Sequence, residues 1–138
     1  MALRLLTRRE HSRLELARKL RDRAFSEQIV GAVLDDLEAQ GLLSDRRFAE
    51  QYLEARVRRG FGPLRIRAEL SKRGVDAALV SQVFESTDVD WLARVREAMT
   101  SRYGADAPLD LAEAARRARF LDYRGFPSEL VKAVLRSE

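Results

Sequence analysis

A single histidine, His11, and the absence of cysteine remove most of the vocabulary of catalysis from this chain of 138 residues. One histidine cannot make a His-based relay or a multi-histidine metal site. Without cysteine there are no disulfides and no thiolate ligands. His11 sits just before a predicted helix cap, which reads as a structural or solvent-facing position. Acidic pairs occur at Asp35 with Asp36 and at Asp88 with Asp90. The first lies late in a helix beside Glu38 and reads as a solvated face. The second reads as a helix start. Neither has a neighbour that would raise a carboxyl pKa, as acid catalysis near neutral pH requires. Gly60-Phe61-Gly62-Pro63 lacks the lysine and the spacing of a phosphate-cradling loop. The chain reads as a non-enzyme that needs no cofactor and no metal.

The chemistry that remains is that of arginine. Net charge is only +4, with a sequence pI of about 9.9. Its distribution is uneven: Arg46 to Arg73 holds nine basic residues against three acids, and the rest of the chain is slightly acidic. A segment this basic suits a polyanion or an acidic protein face, although charge runs are also common as solvated helix faces. The candidate contact residues are Arg46, Arg47, Arg56, Arg59, Arg65, Arg67, Lys72 and Arg73, with Phe61 among them as a possible anchor. Arg46 and Arg47 fall in the first turn of a helix, where the macrodipole disfavours cations, so their placement hints at an interaction. Arg56, Arg58 and Arg59 fall in the last turn, where cations are favoured anyway. Arg65 and Arg67 flank the predicted core residue Ile66. The guanidinium fork suits phosphates and carboxylates alike, so residue type does not choose between DNA and protein. Phe61 is either a core staple or an exposed aromatic anchor.

These residues must be positioned by helices. Apolar residues recur at offsets of three and four, as in Ile29, Val30, Val33, Leu34 and Leu37, and no stretch alternates convincingly. Ser12 with Glu15 reads as a capping box, and Ser26, Asp45, Asp76 and Asp88 or Asp90 read as N-caps. Pro63 suits the first turn of a helix, Pro127 opens the last one, and Gly41, Gly60, Gly74, Gly104 and Gly125 fall where helices should stop. One apolar pattern occurs three times, about fifty residues apart: Leu20, Phe25, Ile29, Val33; Leu70, Val75, Leu79, Val83; Leu121, Phe126, Leu130, Val134. Each copy has a small residue, Ala24, Gly74 or Gly125, just before its second apolar member. Such a period marks a repeated supersecondary unit. The expectation is an all-α chain of roughly nine helices in three three-helix repeats, 1–44, 45–87 and 88–138. Its core is expected to be the three quartets with Phe48, Tyr52 and Trp91.

Small helical triplets suggest helix-turn-helix modules, but the would-be recognition helices are poor readers of bases. Asp76-Ala77-Ala78-Leu79-Val80-Ser81 begins without Arg, Asn or Gln, and Ser26-Glu27-Gln28 offers one Gln beside an acid. Sequence-specific recognition is disfavoured, while weak binding to the DNA backbone stays open. Met1 to Leu6 is too short for a signal-peptide core, and no later stretch is long enough to span a bilayer. A cytoplasmic monomer without membrane contact is expected, beginning close to its first helix.

Two stretches carry a family resemblance. Gly41-Leu42-Leu43-Ser44-Asp45-Arg46-Arg47-Phe48-Ala49-Glu50 and Arg58-Arg59-Gly60-Phe61-Gly62-Pro63-Leu64-Arg65-Ile66 resemble the signature of the RecX family, bacterial regulators of the RecA recombinase. Arg8-Arg9-Glu10-His11-Ser12 and Glu15-Leu16 are similar to that family's first repeat. The resemblance spans essentially the whole chain and is strongest over residues 8–75. It implies an elongated, curved array of three-helix repeats that lodges in the groove of a RecA filament on single-stranded DNA. It also implies inhibition of the recombinase ATPase, filament extension and strand exchange, hence a role in homologous recombination, DNA repair and the SOS response. The alternative from the residues themselves is a helical module that binds DNA directly through its basic middle repeat.

Overall fold

A computed structural model describes residues 1–136. Those residues form nine helices and no strand: α1 (Ala2–Arg8), α2 (Arg13–Asp22), α3 (Glu27–Ala39), α4 (Asp45–Arg58), α5 (Pro63–Lys72), α6 (Ala77–Ser86), α7 (Trp91–Tyr103), α8 (Leu111–Arg124) and α9 (Ser128–Arg136). None of them is long and apolar enough to cross a membrane.

The predicted caps are the local cause of most boundaries. Ser12 and Glu15 form a reciprocal capping box at the start of α2, and Ser26 and Asp90 accept amide hydrogen bonds at the starts of α3 and α7. Asp76 accepts from the Ala78 amide ahead of α6. Asp45 is a correction. It is the first helical residue of α4, and the cap is Ser44, whose hydroxyl accepts from the Arg47 amide. The Asp45 carboxylate is used elsewhere, accepting the Arg13 amide at 2.7 Å.

The repeated apolar pattern has a geometric origin. Ala24, Gly74 and Gly125 all have positive φ, and each follows the end of a helix. The amide one residue later turns back to a carbonyl five residues upstream: Phe25 to Leu20 at 3.4 Å, Val75 to Leu70 at 3.1 Å and Phe126 to Leu121 at 3.2 Å. This is the Schellman closure, in which the two residues joined by the bond also make the hydrophobic contact that seals the helix end. The five-residue step between the first two members of each quartet is therefore the spacing of that motif. Ala24 is the only non-glycine among the described residues with positive φ.

The described chain forms two compact units, residues 1–52 with 69–86, and residues 53–68 with 87–138. In the first, α2 packs on α3, and Leu16, Leu20, Val30, Leu34, Leu37 and Leu43 form one buried cluster with Leu5 and Leu6 against it. In the second, α7, α8 and α9 pack on one another around Val95, Met99, Leu121, Phe126, Val131 and Val134. Phe48 is buried, and Tyr52 and Trp91 are half-buried. The expected core needs one correction. Phe25 and Ile29 of the first quartet are 42% and 52% exposed. The reason is that every residue from Arg21 to Ile29 is exposed, so nothing described lies over the Ala24 turn.

The other two turns are covered, and by equivalent residues. In the first unit, the Ser12 hydroxyl donates to the Arg73 carbonyl at 2.7 Å, and a Cβ on Gly74 would meet Leu14 at 2.6 Å. In the second, the Gly62 amide donates to the Arg124 carbonyl at 2.7 Å and the Leu64 amide to the Gly125 carbonyl at 3.0 Å. The start of one helix thus uses its orphan amides or hydroxyl to cap the turn that ends another, about sixty residues on. A Cβ on Gly62 would lie 2.6 Å from backbone atoms of Gly125 and Phe126. Only glycine permits that approach.

Candidate binding surface

The nine predicted contact residues fall in two separate groups, one in each unit. Arg46, Arg47, Lys72 and Arg73 belong to the first. Arg47 is held by Glu10 at 2.6 Å, and that carboxylate raises the guanidinium's pKa. The unfavourable placement of Arg47 in the first turn of α4 is thus offset within the fold. Arg46 pairs with Glu50 at 3.5 Å, one turn along the same helix, and reaches Gln82 at 3.4 Å. Arg73 lies against Glu15 at 2.8 Å and over the Tyr52 ring at 4.9 Å. Burial alone would raise the Glu15 pKa. Hydrogen bonds from Arg9, the Ser12 amide and Arg73 outweigh it and hold the carboxyl below its usual range. The Tyr52 hydroxyl donates to Glu69 at 2.9 Å, and burial and that bond push its pKa up. Lys72 is exposed on the last turn of α5. With Arg18, Lys19, Arg73, Glu15 and Glu69 it lines an open cavity of about 500 Å³.

Arg56, Arg59, Phe61, Arg65 and Arg67 belong to the second unit. Here the chain gathers cations around an aromatic ring. Arg56 lies 3.8 Å from the Phe61 centroid and Arg65 at 4.5 Å. The Phe61 amide closes the end of α4 by bonding the Arg56 carbonyl at 3.1 Å, so ring and guanidinium meet at the same motif that pairs apolar residues elsewhere. Phe61 is therefore a half-buried platform under guanidinium groups, which joins the staple and anchor readings. Arg65 also donates to the Tyr123 carbonyl at 3.2 Å and lies over that residue's ring at 5.0 Å. Arg67 is half-buried on α5, and Arg59 is exposed just beyond α4.

Residues outside the basic segment complete this second group. Arg124 lies 4.7 Å from the Phe61 centroid and donates to the Arg59 carbonyl at 3.0 Å, capping the end of α4. Arg94, Arg102 and Phe120 sit beside Arg58 and Arg59 around a shared cavity. Counting charge along the chain misses them, because they lie on α7 and α8. One signal does point to Arg124: an arginine precedes the positive-φ residue in all three copies, as Arg23, Arg73 and Arg124. No cluster of His, Cys, Asp and Glu able to hold a metal ion occurs among the described residues.

The comparisons agree with this architecture. A family model described as the first three-helix domain of RecX matches residues 1–37, and the model of its second three-helix domain matches residues 44–83. The regulatory protein RecX of Halorhodospira halophila is 48% identical over 96% of this chain and 82% of its own length. That of Pseudomonas syringae pv. tomato is 41% identical over 97% of this chain and 86% of its own. The crystal structure of RecX from Lactobacillus salivarius superposes with a TM-score of 0.80 at 23% identity, covering 99% of this chain and 90% of that one, which bears on the fold. Two domain models that match in order and relatives above 40% identity together place this chain in the RecX family of regulatory proteins, as a regulator rather than an enzyme.

Proposed function

We propose that this protein binds RecA filaments assembled on single-stranded DNA and restrains them, lowering recombinase ATPase, filament extension and strand exchange during DNA repair and the SOS response. Membership of a family of RecX regulators carries this reading. The surface chemistry supports it: the basic residues sit on short helices or just past their ends, and Arg46, Arg47 and Arg73 are already paired with acids of their own fold. A partly neutralised arginine face suits a protein partner better than tight, non-specific binding to naked DNA, which needs a larger basic excess. The chain is proposed to act as a cytoplasmic monomer of three repeats, 1–44, 45–87 and 88–138, with no membrane contact. Its contacts are proposed to come from Arg46, Arg47, Arg56, Arg59, Phe61, Arg65, Arg67, Lys72 and Arg73.

The test is the single-strand-dependent ATPase of the cognate RecA with this protein titrated in, beside anisotropy on the same naked DNA. ATPase is expected to fall at protein concentrations well below those that coat the DNA. A fall only where naked DNA is already saturated would replace this reading with competition for DNA.

A further inference from the structure

In the second unit a cavity of about 320 Å³ is ringed by Arg58, Arg59, Arg94, Arg102 and Arg124, with Glu97 the one acid in its lining. Three of the guanidinium groups are partly used. Arg58 pairs with Glu54 at 3.0 Å, Arg94 with Glu97 at 3.1 Å, and Arg124 caps the Arg59 carbonyl. Arg59 and Arg102 have no acidic partner among the described residues. Arg102 is held by rings instead, 5.1 Å from the Phe120 centroid and 5.9 Å from that of Tyr103. A ring engages the face of a guanidinium and leaves its in-plane N–H donors unused. The cavity therefore presents an excess of positive charge and unused donors beside Phe120, with Glu97 the single carboxylate in its lining against five guanidinium groups.

We propose that this cavity binds a backbone phosphate of single-stranded nucleic acid, with Arg59 and Arg102 as the principal donors and Tyr123 as a stacking platform for a neighbouring base. A phosphate suits it better than a protein carboxylate. The lining carries far more positive charge than one carboxylate would balance, and a tetrahedral phosphate can accept from several directions at once. The charge is also continued beyond the cavity. Arg124 belongs both to this ring and to the guanidinium cluster on Phe61, beside Arg56 and Arg65, as a chain of repeating phosphates requires. Tyr123 stands next to that cluster, 72% exposed, with Arg65 over its ring. A basic track with an exposed aromatic side chain is the arrangement that holds single strands without reading their sequence. This deepens the filament reading by naming the strand contact, and it concerns residues mostly outside the basic middle segment.

The experiment uses the full-length protein and a fluorescein-labelled oligothymidylate, with the dissociation constant measured by anisotropy over a series of salt concentrations. Replacing both donors, Arg59→Gln with Arg102→Gln, is expected to weaken binding roughly tenfold at low salt and to reduce the slope of log affinity against log salt by about 0.7, the release expected for one single-strand phosphate contact. Tyr123→Ala is expected to weaken binding about fivefold or more with the slope unchanged, because stacking releases no counterion. The charge-matched pair Arg4→Gln with Arg8→Gln, on α1, should leave the slope unchanged. Should the glutamine pair fold poorly by circular dichroism, the lysine pair Arg59→Lys with Arg102→Lys serves, which should keep the slope while losing affinity. Equal losses in the α1 and cavity pairs, or no loss in the cavity pair, would overturn the proposal. So would failure of the unaltered protein to bind the oligonucleotide. Intact oligonucleotide binding with lost inhibition of RecA ATPase would assign the cavity to an acidic protein face instead. The naked strand reports on the cavity and the ATPase on the filament, so failure of either reading is visible without the other.

Discussion

His11 shows how much a single side chain is constrained here. It is 1% exposed, its Nδ1 lies 3.1 Å from the Arg9 carbonyl, and its Nε2 lies 2.8 Å from the Lys19 ammonium. An ammonium can only donate, so Nε2 accepts and Nδ1 carries the proton. That is the neutral ring. Burial chiefly, with the nearby Arg9 and Lys19 charges, lowers its pKa despite the Arg9 carbonyl and Glu15. The sign follows directly. The unfolded chain takes up a proton near the ordinary histidine value of about 6.5 while the folded chain resists, so stability is lost as pH falls through that value. The urea midpoint of unfolding is expected to fall as the pH is lowered from about 7.5 to 5.5, through the ordinary histidine range. His11→Gln should flatten that window. Glu15, also held low, contributes a loss only at more acidic pH, in the carboxylate range. A profile equally steep without His11 would place the titrating group elsewhere.

Elements in this protein are joined by close backbone contact, and glycine marks where. Gly62→Ala would push a methyl group into the backbone of Gly125 and Phe126, at 2.6 Å, where no flexible side chain can yield. A destabilisation of about 1–3 kcal/mol is expected, as for overpacked sites. Gly31 is the contrast. It lies inside α3 with nothing within 4 Å of an added Cβ. Gly31→Ala should stabilise by about 0.5–1 kcal/mol through helix propensity alone. Two thermal melts with opposite shifts are the check, and an unchanged or raised midpoint in Gly62→Ala would mean the α5 start does not rest on the Gly125 turn. Helix starts and stops were legible in the sequence because caps and left-handed turn residues act locally. The repeat was legible because the Schellman pair fixes a five-residue step. What covers each turn was not, since Ser12 meets Arg73 and Gly62 meets Arg124 across some sixty residues. The exposure of Phe25 and Ile29 follows from the same non-local fact. The arginine sites split the same way: the density of charge was plain, but the acids that occupy Arg47 and Arg73 lie 37 and 58 residues away. Arg94 and Arg102 reach the cavity from another element altogether.

At the scale of the molecule, these turn contacts decide what can fold alone. The second unit draws residues 53–68 from the middle of the chain and 87–138 from its end. Within it, the Gly62 and Leu64 amides satisfy the Arg124 and Gly125 carbonyls, and Arg65 closes over Tyr123. A repeat boundary near residue 88 separates those partners. In repeat proteins stability is the sum of weak intrinsic terms and strong neighbour terms, so removing the neighbour removes most of the cooperativity. A fragment of residues 88–138 keeps α7, α8 and α9 but leaves two carbonyls at the α8–α9 turn without their amide donors. A fragment of residues 53–138 keeps every segment of the second unit. The longer fragment is expected to melt in one cooperative transition by circular dichroism, and the shorter to lose helicity gradually with no defined midpoint. Matching cooperative melts would mean that the three-helix core around Val95, Leu121 and Phe126 is sufficient by itself. The capping of one helix end by the start of another would then serve to order the repeats rather than to hold them up.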